Sequence, residues 1–124
     1  MSELAGKIQD AELEVMRVLW NNEGPVALLE IRRVLSAKCG WEDSTIKTLL
    51  RRLCSKKAVR LESRGMYCAV VTESEYDRWS VRQYVSKVFE GSAKKLVASL
   101  LQEGQLSRED IAELRAMLEK EEGE

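Results

Sequence analysis

A change of repeat at Ala58 constrains this chain more than any other feature. Upstream of it, apolar residues return at helical spacing in three successive segments; downstream they alternate. Asp10–Trp20 (DAELEVMRVLW) repeats Leu13, Met16 and Trp20 and adds Val15, Val18 and Leu19 on other faces, predicting a helix covered on more than one side. Asn21, Asn22, Gly24 and Pro25 end it. Ala27–Lys38 predicts a second helix with Leu28, Ile31 and Leu35 on one face and Glu30 and Arg33 turned away, closed by Cys39-Gly40. A third, over 44–57, opens at Ser44, a good N-cap type, and carries Ile46, Leu49, Leu50 and Leu53 at i, i+3, i+4 and i+7. Past Ala58, VRLES and MYCAVV are rich in β-branched residues and flank Arg64-Gly65. They predict a short hairpin over 59–71, its tip at a glycine that can take positive φ.

Helical spacing then resumes. Thr72-Glu73-Ser74-Glu75 has the form of a capping box and predicts a long helix to about Phe89. Gly91-Ser92 and Gly104 are breaks, between which lies a short helix; Ser107-Arg108-Glu109-Asp110 caps a last one, with Lys120–Glu124 expected to fray. The expected fold is mainly α. A winged helix-turn-helix domain with a small β-hairpin wing occupies 1–72, and a three-helix dimerisation region occupies 73–124.

Charge marks where such a fold would act. The 124 residues carry a net charge of -1, yet Ser44–Arg60 holds six cations and no acid, while Val81–Glu124 holds seven cations against nine acids. An ordinary solvated face mixes signs, because like charges at i, i+4 repel. Lys47 with Arg51, and Arg52 with Lys56, are such like pairs, so an anionic partner explains them better than solvent does. At 100° per residue, Ser44, Thr48, Arg51 and Ser55 lie opposite the apolar stripe, flanked by Thr45, Lys47 and Arg52. That face suits a DNA major groove, with Ser44, Thr45, Lys47, Thr48 and Arg51 as candidate groove contacts. Arg52, Lys56, Arg60 and Arg64 are expected to hold phosphates, the last two from the wing.

The C-terminal helices carry apolar stripes that about 50 residues cannot bury alone. A second copy would cover Tyr76, Trp79, Tyr84, Val88, Leu96, Val97, Leu100, Leu101, Ile111, Leu114 and Leu118, and a two-fold dimer suits an operator with dyad symmetry. The alternative is a winged-helix module whose basic face binds an acidic partner protein. An enzyme is not expected: there is no His, no clustered carboxylate set and no Gly-rich phosphate loop. No cofactor or metal is implied, since Cys39, Cys54 and Cys68 match no ligand spacing and read as reduced thiols. A thiol sensor at Cys54 is a lesser reading. No apolar run is long enough to span a bilayer and no signal peptide opens the chain, so a cytoplasmic location is expected.

These segments also resemble a family. DAELEVMRVLW is similar to the first-helix signature of the penicillinase-repressor family, Trp41 with STIKTLLRRL to its recognition helix, and RGMY to its wing tip. EYDRW, KVFEGSAKKLV and LSREDIAELRAMLE resemble its dimerisation helices in order, so the likeness runs from Ile8 to Glu119. It implies a dimeric winged-helix transcriptional repressor. In the antibiotic-responsive branch it also implies relief by cleavage in the dimerisation domain, once a membrane sensor protease detects drug. That bond would be Ser99-Leu100, within LVASLL, where better-known members have an Asn–aromatic pair. The copper-sensing branch uses C-terminal Cys-x-Cys motifs, and this chain has no Cys after Cys68. Gln9 stands where the family often has a capping Ser, which implies local fraying of the first helix.

Overall fold

The computed structural model describes residues 3–122. A 3-10 turn, Glu3–Lys7, precedes α1 (Asp10–Trp20), β1 (Val26–Ala27), α2 (Leu28–Cys39), α3 (Asp43–Ser55), β2 (Val59–Ser63) and β3 (Met66–Ala69). Three helices follow: α4 (Glu73–Val88), α5 (Ala93–Gln102) and α6 (Arg108–Glu122). The chain divides into two compact units, Met1–Val81 and Arg82–Glu124, so the boundary falls inside α4 and not at the 72/73 junction expected from the capping box.

The N-terminal unit is a winged helix-turn-helix. Its core comes from the stripes that the sequence repeats: Val15 and Met16 of α1, Ile31 and Leu35 of α2, and Ile46, Leu50 and Leu53 of α3 are almost fully buried. Each such side chain contributes about 1.5–3 kcal/mol on burial. On α1 the covered face is centred on Glu12, Val15, Met16 and Leu19, while Leu13 and Trp20, expected on the inner stripe, are only half-buried. Gly40 closes α2 in the left-handed conformation, φ 69, as its place after Cys39 predicts. β2 and β3 form the expected hairpin, with Gly65 at φ 72 at its tip and a register shift between Leu61 and Ser63.

The two-residue strand β1 has no sequence signal of its own. It adds to the free edge of β3, pairing Val26 with Tyr67 and Ala27 with Met66, and the Leu28 N–H donates to the Gly65 carbonyl at 2.8 Å. The wing tip is thereby tied to the start of α2. Gln9 does not leave α1 frayed: its N–H donates to Glu12 Oε1 at 3.0 Å and its carbonyl accepts the Leu13 N–H at 2.8 Å.

The capping box at Thr72 forms as written, Glu75 N–H to Thr72 Oγ1 at 3.1 Å and Thr72 N–H to Glu75 Oε1 at 3.2 Å. Tyr76 and Trp79, expected among the dimerisation residues, pack on the core of the N-terminal unit. Tyr76 packs at a tilt against Trp20, whose indole N–H donates to the Val71 carbonyl at 2.9 Å. The Trp79 ring lies so close over Gly6 that an added Cβ would come within 3.1 Å of it. In the C-terminal unit, Ser92 caps α5 and Ser107 with Asp110 caps α6, which runs to Glu122; of the Lys120–Glu124 stretch expected to fray, Gly123 and Glu124 lie outside the described residues. Among the described residues, α4, α5 and α6 bury no side chain fully.

Candidate nucleic-acid interface

α3 has two faces. Ile46, Leu49, Leu50 and Leu53 enter the core, while Ser44, Thr45, Lys47, Arg51 and Arg52 are exposed and Thr48 is half-exposed. The helix begins at Asp43, one residue before the expected cap, and ends at Ser55, two before the expected 57. It is therefore not purely cationic. Asp43 carries an acid at its N-terminus, where the helix dipole favours one, and lies 3.7 Å from Arg32 of α2. Ser44, Thr45, Thr48 and Arg52 share a shallow, open depression along this face, and the Thr48 hydroxyl donates back to the Ser44 carbonyl at 2.9 Å.

Several acids of this unit hold cations and so sort the basic residues of α3 and the wing. Glu30 holds Arg33, Glu14 holds Lys38, Glu62 holds Arg60 and Glu12 holds Lys56. Lys47, Arg51, Arg52, Lys57 and Arg64 make no ion pair among the described residues. Within 44–64 those five are the cations free to meet an external anion. Lys57 was not among the expected phosphate holders. It follows the C-cap Lys56 at φ 67, a left-handed position from which its side chain stays exposed.

Lys56, expected as a phosphate contact, is engaged within the chain. Its Nζ lies 2.6 Å from Glu12 Oε1 and 2.9 Å from the Lys7 carbonyl oxygen, and its side chain is only 25% exposed. Glu12 is 1% exposed, and its Oε2 has no hydrogen-bond partner among the described residues. The sequence held a signal for this. Glu12, Val15, Met16 and Leu19 stand at i, i+3, i+4 and i+7, and a carboxylate on an apolar stripe requires a charged partner.

On the wing, Arg64 is exposed at the tip, while Arg60 donates to Glu62 Oε2 at 2.7 Å. That guanidinium first, and the Cys68 thiol at 3.1 Å, hold the Glu62 carboxyl below its usual range. The same hydrogen bond to Glu62, with some burial, pushes the Cys68 thiol up. Burial likewise pushes up Cys54, which opens on a mainly apolar groove between the end of α3 and β2. Neither thiol is activated for redox chemistry, which needs thiolate. Among the described residues there is no cluster that could hold a metal ion, and no helix long and apolar enough to cross a membrane.

Comparison with known proteins agrees with this geometry. The family model described as penicillinase repressor matches residues 8–120. The penicillinase repressor of Bacillus licheniformis is 33% identical over 117 residues, spanning 92% of this chain and 91% of that protein. The methicillin resistance regulatory protein MecI of Staphylococcus aureus (strain N315) is 30% identical over 117 residues, spanning 92% and 94%. The solution structure of the DNA binding domain of the repressor BlaI superposes with a TM-score of 0.52 at 35% identity, covering 61% of this chain and 94% of that one. With its winged unit, its exposed cationic third helix and near full-length similarity to these proteins, the chain belongs to the penicillinase repressor family.

Proposed function

We infer that this protein is a DNA-binding transcriptional repressor that acts as a homodimer without catalytic activity. The observation that carries the reading is the exposed polar face of α3, where Lys47, Arg51 and Arg52 remain unpaired while Glu12, Asp43 and Glu62 hold Lys56, Arg32 and Arg60. Laid in a major groove, that face brings Ser44, Thr45, Lys47, Thr48 and Arg51 to base edges, with Lys47 and Arg51 matched to guanine acceptors. Arg52, Lys57 and Arg64 hold phosphates, and Arg60 joins them by exchanging Glu62 for the backbone.

Dimerisation is supported by the C-terminal unit, which leaves Tyr84, Val88, Val97, Leu101, Leu114, Met117 and Leu118 at least two-fifths exposed. Apolar faces of that extent favour a second copy over solvent. Two α3 helices then meet two half-sites of a dyad operator, a helical turn or a multiple apart. Relief of repression by a membrane sensor protease at Ser99–Leu100 is a further proposal, made against the departure of that pair from the Asn–aromatic pair of better-known members.

Fluorescence anisotropy with labelled duplex DNA over a salt series tests the reading. Four phosphate-holding cations on each of two subunits give a slope of log K against log salt of about -7. A slope near zero rejects it, and retention of an acidic protein without duplex binding favours a protein-contact module instead.

A further inference from the structure

We propose that Glu12 and Lys56 are positioning residues that set the angle and depth at which α3 is presented, and that Lys56 is not a phosphate ligand. The inference rests on the DNA-binding reading and assigns a role that α3's outer face does not account for. Lys56 is the C-cap of α3, its N–H bonded to the Arg52 carbonyl at 2.9 Å. Its side chain turns away from the exposed cations to the buried start of α1, reaching Glu12 Oε1 at 2.6 Å and the Lys7 carbonyl at 2.9 Å. The same Glu12 oxygen accepts the Gln9 N–H at 3.0 Å. One carboxylate thus ties the end of the reading helix to the cap of α1 and to the 3-10 turn before it.

Apolar packing by Ile46, Leu49, Leu50 and Leu53 holds α3 on the core but is non-directional. A charge-assisted hydrogen bond at one end is directional and fixes rotation and slide. Base-edge hydrogen bonds tolerate only a few tenths of an ångström around roughly 2.7–3.2 Å, so a small slip of α3 disengages Lys47 and Arg51 together. A buried ion pair adds little net stability over an apolar pair of similar volume, which leaves geometric specification as its better-supported use. At the other end, Asp43 lies 3.7 Å from Arg32 but is largely exposed, so the Glu12–Lys56 contact is the firmer of the two tethers.

The test compares native protein with Glu12→Gln and Lys56→Met on two probes. One is a duplex that the native protein enriches from a random-sequence library; the other is a shuffled duplex of the same composition. Positioning predicts that each variant loses about tenfold affinity for the enriched duplex, the scale of one base contact, with shuffled-duplex affinity and salt slope unchanged. Val15→Ala, a core variant of α1 chosen as a stability control, should keep the native ratio of the two affinities. Equal loss on both duplexes with Lys56→Met, its slope shallower by about 2 per dimer, would make Lys56 a phosphate ligand and overturn the proposal. So would tighter binding by Glu12→Gln, which would mean that Glu12 merely withholds Lys56 from DNA. An unchanged affinity ratio in both variants would reduce the pair to fold stability alone. If Lys56→Met fails to fold, Glu12→Gln decides by itself, because a side chain 1% exposed cannot touch DNA. If native protein enriches no duplex, the DNA-binding reading fails; a failed ratio test leaves that reading intact.

Discussion

Leu101→Ala isolates the contribution of the uncovered C-terminal faces. Leu101 lies in the last turns of α5 and is 50% exposed in the single chain. Burying a whole leucine contributes roughly 1.5–3 kcal/mol, so covering the remaining half in a dimer contributes about 1 kcal/mol. The residue occurs twice across a two-fold interface, giving about 2 kcal/mol per dimer and roughly a thirtyfold rise in its dissociation constant. Alanine is the better helix former, so α5 itself is not weakened. Sedimentation velocity over a concentration series should show the midpoint of dissociation moving up by that factor, with the thermal unfolding of the winged unit unchanged. A dissociation constant within threefold of native would refute the reasoning, since it would leave Leu101 outside any interface. Leu101→Glu should abolish the dimer, because it would place a carboxylate in the seam.

The remaining predictions concern the basic face and the thiols. Arg51→Ala should cost about 1–3 kcal/mol on the enriched duplex and much less on a shuffled one, whereas Lys57→Ala should weaken both alike and make the salt slope shallower by about 2 per dimer; anisotropy titrations distinguish the two patterns. Glu62 should titrate below the ordinary glutamate value of about 4.3 when followed by carboxyl NMR, and Arg60→Ala should return it upward. Because its folded value is depressed, whatever it contributes to the wing is present above the unfolded value and lost as pH falls through the folded one; an ordinary midpoint would remove the Arg60–Glu62 contact from solution. Because burial raises its thiol, Cys54 should alkylate more slowly than an ordinary cysteine at neutral pH and speed up only as pH climbs above the ordinary thiol range, and mild oxidant should leave DNA affinity unchanged.

Most of the fold was legible because its signals are local. Helical spacing in α1 to α3, Gly40, Gly65 and the capping box at Thr72 each depend on residues a few positions apart, and each reappears in the structure. What stayed hidden depends on distant partners. β1 is two residues long and exists only because the edge of β3 is open beside it. The packing of Tyr76 and Trp79 on the N-terminal core depends on Trp20 and Gly6, more than fifty residues earlier. The cationic run of the third helix was visible at once, but not its sorting. Lys47 and Lys56 look alike in sequence; one is exposed without an acid, and the other is claimed by a glutamate 44 positions away.

The same distinction between local and distant support bears on how repression would end. In the structure the Ser99 carbonyl, which a protease attacking Ser99–Leu100 must reach, accepts the Glu103 N–H at 3.0 Å, and the Leu100 carbonyl accepts the Gln105 N–H at 3.1 Å. Proteases bind their substrates as extended strands, so this end of α5 must unwind before it can be cut. Helices shorter than about 12–15 residues are marginal on their own, and α5 has ten. Its persistence therefore depends on burial of its apolar face, which in the single chain leaves Val97 and Leu101 about half exposed. If a second copy covers that face, dimerisation and resistance to cleavage draw on the same contacts. On that reading the free subunit would be the better substrate and operator DNA, by favouring the dimer, would protect the Ser99–Leu100 bond in the C-terminal unit; limited proteolysis with and without duplex checks it, and equal cleavage in both would refute it.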